Sequence, residues 1–238
     1  MKITNAGNRI MNTWLYPIED GWVMIDTGYE NSYASVLKKF RKLLIQPEEV
    51  RYLFLTHAHD DHAGFLEEWM TKHPNTQVIV HEKAIDGLRK GQNGFDGGCS
   101  TLGAFLFCQL MALLGNNDHR YPTLSEEHLA KIITLNEDNL SQMESILQGE
   151  ILFTPGHTAD SISLVVDGKL FCGDAAMNGI PSSRKITIWV HAMFPSSFSR
   201  RKPRAVLNSS PIIPRRRSHV RKVYFSLGLW VLAREAPF

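Results

Sequence analysis

Three histidines and two aspartates stand within six residues, in the run His57-Ala58-His59-Asp60-Asp61-His62. As pure structure such a run is costly. Imidazoles held close together repel when protonated, and each buried ring nitrogen needs a partner. A divalent cation resolves both problems, because neutral imidazole nitrogen and carboxylate oxygen are its ordinary ligands. Accident explains the run poorly: the pattern H-x-H-x-D-H arises by chance on the order of 10⁻³ times in a chain of this composition. Two weaker pieces follow in order. Thr154-Pro155-Gly156-His157-Thr158 sets a histidine in a tight loop, and Phe171-Cys172-Gly173-Asp174 sets a carboxylate after an apolar segment. Each alone reads as a loop or turn. Together they read as ligands converging from the ends of different strands.

The elements around these residues must bring them together. Ile10 to Tyr16 is rich in strand formers, Asp20-Gly21 is a turn signal, and Trp22 to Asp26 reads as the returning strand. Tyr33, Val36, Leu37, Phe40, Leu43 and Leu44 have helical spacing, and Pro47 ends that helix. Val50 to Thr56 is a short strand that delivers the histidine run at its carboxyl end. Ala63 to Lys72 reads as a helix and Gln77 to His81 as a strand. Further strands are expected at Ile132 to Leu135, Ile151 to Thr154, Ser161 to Val166 and Leu170 to Cys172, with a hairpin turn at Asp167-Gly168. Alternating strands and helices imply an α/β architecture.

Residues 84–128 interrupt this pattern. A glycine-rich stretch leads into an apolar segment, Leu102 to Leu114, read as a helix, and then into a polar loop. The whole reads either as a surface excursion or as a lid over a pocket. The apolar segment is well short of the ~20 residues a membrane-spanning helix needs. His73, His81, His119 and His128 read as solvated or capping residues. His119 alone among them comes within reach of a pocket if the excursion is a lid.

Composition narrows the classes. The 238 residues are 43% hydrophobic and 21% charged, with a net charge of +2, enough for a full core and too little charge to argue for a polyanionic partner. Cys99, Cys108 and Cys172 form no C-x-x-C pair, which argues against a disulfide framework and against a cysteine zinc site. The opening residues, Met1 to Asn8, have no apolar h-region, so a cytoplasmic chain is expected. No Gly-x-Ser-x-Gly elbow is present, so a serine nucleophile is not indicated.

Taken together, the motifs resemble the metallo-β-lactamase superfamily. Asp26-Thr27-Gly28 resembles its first motif and the histidine run its signature; Thr154-Pro155-Gly156-His157-Thr158 and Gly173-Asp174 resemble its later ligand motifs. The resemblance spans residues 8 to 190. It implies a four-layer αβ/βα sandwich with a binuclear metal site. His57, His59 and His157 would hold the first cation; Asp61 and His62 would belong to the second, with Asp174 bridging the two. Asp26 would stand behind the ligands. Zinc is the implied metal, two ions in the family and one possible here, with iron or manganese as alternatives. The implied chemistry is metal-dependent hydrolysis of a small-molecule ester, thioester, lactone or related substrate, by a hydroxide formed from a water that zinc ionises near neutral pH. Asp61 is the residue implied to orient that nucleophile and take its proton. Acylglutathione hydrolases and lactonases are the nearest in pattern. Iron-bearing redox members are the alternative, although the di-iron oxygen-reducing type usually has an acidic residue where His59 stands.

The end of the chain departs from the family. The family closes its second site with one more histidine, often in a Pro-x-His-Gly setting, and that setting is missing here. His219 is the candidate replacement, ahead of His191. No acidic residue occurs between Asp174 and Glu235, while residues 175–238 hold twelve Lys and Arg. The domain is therefore expected over residues 1–190, followed by an atypical basic segment, 191–238. That segment reads as disordered or out of frame, which would leave a catalytically impaired product, in preference to a basic tail for nucleic acid or another acidic surface.

Overall fold

The computed structural model describes residues 2–8, 11–94 and 119–175, with three short strand segments beyond them. Its first sheet has six strands in chain order: β1 (Thr4–Asn5), β2 (Trp14–Ile18), β3 (Gly21–Ile25), β4 (Val50–Phe54), β5 (Gln77–His81) and β6 (Ile133–Leu135). β1 to β3 are antiparallel neighbours, and β3 to β6 run parallel. The second sheet holds β7 (Glu150–Phe153), β8 (Ile162–Val166) and β9 (Lys169–Phe171) as antiparallel neighbours. Two-residue strands β10 (Met177–Asn178) and β11 (Thr187–Ile188) pair with each other. β12 (Lys222–Tyr224), from the basic segment, runs parallel beside β9.

Both faces of the first sheet are covered, which explains the near-continuous apolar character of its strands. Side chains alternate between two cores. Leu15, Met24, Leu53, Leu55, Val78 and Val80 face one way, against helices α1 (Tyr33–Leu43) and α3 (Leu66–Lys72), through Val36, Phe40, Leu66 and Trp69. Trp14, Tyr16, Val23, Ile25, Phe54 and Ile79 face the other way, against Ile151, Ile162, Leu164, Val166 and Phe171 of the second sheet. A further helix, α6 (Leu140–Leu147), joins this second core through Met143 and Leu147, and the Tyr16 hydroxyl donates to the Leu147 carbonyl at 2.9 Å.

Most of the expected elements are present, with informative differences. The first hairpin turns on Glu19-Asp20, since Gly21 already pairs with Ile18. The second turns on Asp167-Gly168, both at positive φ (50° and 68°), the conformation a tight two-residue hairpin favours. Leu44 does not join the apolar face of α1. It caps the helix in the left-handed region (φ 58°) and is 86% exposed. The expected helix from Ala63 to Lys72 is split into α2 (Asp60–Ala63) and α3 by Gly64-Phe65. Of the excursion, residues 84–94 and 119–128 carry α4 (Ile85–Lys90) and part of α5 (Glu126–Leu129); the helix expected at 102–114 lies outside the described residues. No helix among the described residues is long and apolar enough to cross a membrane.

Candidate metal centre

The two sheets aim the same ends at one place. β3 and β4 are parallel, so Asp26 and the histidine run follow their adjacent carboxyl ends. β7 and β9 are each antiparallel to β8, so the loops carrying His157 and Asp174 also leave from one edge. Four loops from two sheets thus meet, as ligand sites in open α/β sheets commonly do at strand carboxyl ends.

His57, His59 and His157 form one group, and His57, His62 and Asp174 another; within each, one candidate ligand atom per residue lies within 4.8 Å of the others. His157 Nε2 is 3.1 Å from His59 Nδ1, and the His57 and His62 ring centroids are 4.1 Å apart. Asp174 lies between the groups, with Oδ1 3.3 Å from His62 Nε2 and Oδ2 3.7 Å from His157 Nε2. Asp61 belongs to neither group; its Oδ2 is 3.7 Å from His62 Nε2. His219 and His191 lie outside the described residues.

The residues present fit a cation. His57 Nε2 and His62 Nε2 are buried and make no hydrogen bond. A buried polar atom left without a partner costs about 1–3 kcal/mol, so two of them in contact distance of other ring nitrogens and a carboxylate call for a shared acceptor of lone pairs. Their other nitrogens are committed. His62 Nδ1 donates to Asp26 Oδ2 at 2.8 Å, while Asp26 Oδ1 accepts from the Thr56 backbone N–H at 2.8 Å. Thr56 Oγ1 lies 2.9 Å from Asp26 Oδ2 and 3.1 Å from His57 Nδ1. One proton arrangement satisfies the set: His57 Nδ1–H donates to the hydroxyl, and the hydroxyl donates to Asp26. With His62 neutral, as it would be beside a bound cation, both Nε2 lone pairs would face the centre, the usual arrangement behind metal-binding imidazoles. Asp26 holds this position in the left-handed region (φ 57°), an uncommon conformation that aspartate tolerates better than most residues.

Several supporting residues carry no motif of their own. Asp160 Oδ2 accepts from the Ala58 N–H at 2.9 Å, and the Tyr121 hydroxyl donates to the Ala58 carbonyl at 3.1 Å. The residue between His57 and His59 is therefore held at both its polar atoms. A Cβ on Gly64 would overlap the backbone of Asp60, Glu30 and Gly28, and one on Gly173 (φ 51°) would overlap Thr56 Oγ1. Of these, only Gly173 lay within a motif legible in the sequence. Of the other histidines, His81 is a capping residue as expected, while His73 and His128 are largely buried and paired rather than solvated. His81 accepts from the Lys83 N–H, His73 pairs with the Tyr33 hydroxyl at 2.9 Å, and His128 lies 2.8 Å from Glu67. His119 Nδ1 lies 4.0 Å from Asp60 Oδ1, beside the histidine run.

The electrostatics divide the histidines. Burial, followed by the imidazoles of His62, His59 and His157, holds His57 well below the usual histidine pKa. Burial also lowers His59, against the opposing pull of the Gly94 carbonyl. For His62 burial acts in the same direction, but the carboxylates of Asp61, Asp26 and Asp174 outweigh it and hold the ring well above 6.5. The metal-free chain at pH 7 therefore carries a proton on His62 and none on His57 or His59. A cation entering beside His62 displaces that proton, so its affinity rises with pH until the raised His62 pKa is passed. Calorimetric titrations at pH 7 in buffers of different ionisation enthalpy should show about one proton released per cation at this group. Heats independent of the buffer would mean that His62 is neutral.

Comparison with known proteins gives the family. A family model described as the metallo-beta-lactamase superfamily matches residues 6–197, and the chain belongs to that superfamily. Among its relatives is the metallo-beta-lactamase fold-containing protein ST1585 of Sulfurisphaera tokodaii, 26% identical in an alignment 203 positions long that covers 77% of this chain and 66% of that protein. A nitric oxide reductase of Moorella thermoacetica is 27% identical over 79 residues, 33% of this chain and 20% of its own. Among solved structures, the Rm3 metallo-beta-lactamase aligns with a TM-score of 0.52 at 18% identity, over 82% of this chain and 66% of that one. A metallo-beta-lactamase of Cronobacter sakazakii with a HARLDQ motif gives a TM-score of 0.52 at 16% identity, over 74% and 61%. These structural likenesses show the fold. The chain spans just under two thirds, or less, of the length of each of these proteins.

Proposed function

We propose that this chain is a metal-dependent hydrolase that uses zinc held among His57, His59, His62, His157 and Asp174 to cleave a small ester, thioester or lactone. The observation that carries the reading is the pair of buried, unbonded Nε2 atoms of His57 and His62 facing His157, His59 and Asp174. A cation bound there supplies Lewis acidity and lowers the pKa of water. The chain's own residues do the rest. Asp26 and Thr56 fix which nitrogens of His62 and His57 face inward. Asp61 is the proton acceptor. Burial pushes its carboxyl up to about 7; His62 opposes this, while Asp174 and Asp60 reinforce it. A carboxylate beside the centre can take the proton from an attacking water. The near-neutral net charge of +2 fits a small substrate better than a polyanion.

The test is metal analysis of purified protein, followed by assay against a thioester, a lactone, a phosphodiester and a β-lactam. Bound zinc with chelator-sensitive thioester or lactone cleavage supports the reading. Bound iron with no cleavage of any of the four overturns it in favour of redox chemistry. Cleavage of the phosphodiester or the β-lactam alone overturns the substrate class.

A further inference from the structure

Residues 91–94 and 119–121 are tied together as a narrow neck. Gln92 and Arg120 form an antiparallel bridge, the Asn93 N–H donates to the His119 carbonyl at 3.1 Å, and the Tyr121 N–H donates to the Gly91 carbonyl at 3.0 Å. This neck lies against the histidine run. The buried Asn93 carboxamide makes two bonds to one residue there: its Oδ1 accepts from the Asp60 N–H at 2.7 Å, and its Nδ2 donates to Asp60 Oδ1 at 2.6 Å. The next carbonyl, Gly94, lies 3.0 Å from His59 Nε2. A backbone carbonyl can only accept, so the bond requires the His59 proton on Nε2. That leaves Nδ1 with its lone pair on the side where His157 Nε2 sits, 3.1 Å away.

We propose that Asn93, acting with the Gly94 carbonyl, is a positioning residue for the metal centre: it sets the tautomer and ring orientation of His59 and thereby its affinity for a cation. The proposal rests on reading His57, His59 and His157 as a metal group. Asn93 pins the backbone of residue 60 on one side and carries the Gly94 carbonyl to the His59 ring on the other. Without the carboxamide, the Asp60 N–H loses its acceptor and Gly94 is held to the run only by the bond it is meant to direct. His59 would then bind a cation only after its ring had been reoriented and its proton moved. Removing such an outer hydrogen-bond partner typically costs 10–100-fold in metal affinity.

Competition titration of zinc against a chromophoric chelator tests this with the full chain, using Asn93→Ala and a remote control, Thr76→Val. Thr76 Oγ1 makes two buried hydrogen bonds, to Trp69 Nε1 and the Val50 carbonyl, at the amino end of β5 and away from the centre. Both variants should lose stability. Asn93→Ala should bind zinc about 10–100-fold more weakly, while Thr76→Val stays within about threefold of wild type. Equal affinities in the two variants would overturn the proposal. A second measurement needs no variant: long-range ¹⁵N–¹H correlation of the metal-free wild type should show His59 protonated at Nε2. A proton on Nδ1 would overturn the proposal even if Asn93→Ala fails to fold. Absence of zinc binding by the wild type would instead remove the metal centre itself, and this proposal with it.

Discussion

Replacing Asp61 with asparagine should lower kcat for the hydrolysed substrate by about 10²–10⁴-fold, the usual contribution of a positioned general base. The substitution keeps the side-chain shape and removes the proton acceptor. Asp61 lies outside both close groups of ligand atoms, so zinc at the His57–His59–His157 group should be retained. Steady-state kinetics beside metal analysis of the same preparation separate the two effects. A fall in kcat with metal content unchanged assigns Asp61 to proton transfer. Near-wild-type turnover in Asp61→Asn would remove it from the mechanism.

His57→Ala should have the larger effect on binding, because His57 is the one residue common to both groups. Metal content should fall to background and hydrolysis with it, a greater loss than the 10–100-fold expected of an outer partner. Thermal unfolding gives an independent reading. A ligand at a thousand times its Kd stabilises the folded chain by about 4 kcal/mol, which for a chain of this size raises Tm by roughly 8–16 °C. The wild type should show such a shift on adding zinc and His57→Ala should show none. An equal shift in both would mean that zinc binds somewhere else.

The candidate centre was more legible in the sequence than the fold around it, for physical reasons. Candidate ligands are histidines and carboxylates that follow strand ends: His57, His59 and His62 stand out by type and spacing, while His157 and Asp174 are legible only in combination with them. The residues that hold them do not stand out. Asp160 and Asn93 act through backbone atoms of residues far away in sequence, Ala58 and Asp60, and any polar loop has similar residues. Apolar periodicity found α1 but assigned it Leu44, because spacing alone cannot show where a helix unwinds into a left-handed cap. The same signal was present at Leu140, Met143 and Leu147 and marks α6, which a short, polar-flanked segment makes easy to pass over. The two-sheet arrangement was implied only by the resemblance to the family, since the strand–helix alternation says no more than α/β. The sharing of β2 to β5 between two cores was not legible, since a continuous apolar run does not say which side chain faces which layer.

The convergence of loops from both sheets has a mechanical consequence. His57 and His59 hang from the first sheet and His157 from the second, and His59 and His157 are 98 positions apart. A cation gripping all three acts as a removable cross-link between the layers. In the chain-entropy account, a cross-link closing a loop of about 100 residues removes close to 5 kcal/mol of disorder from the unfolded chain. Losing the cation would therefore do more than stop turnover. It would release the seam between the two halves of the protein, and the emptied chain would become the more easily opened and digested form.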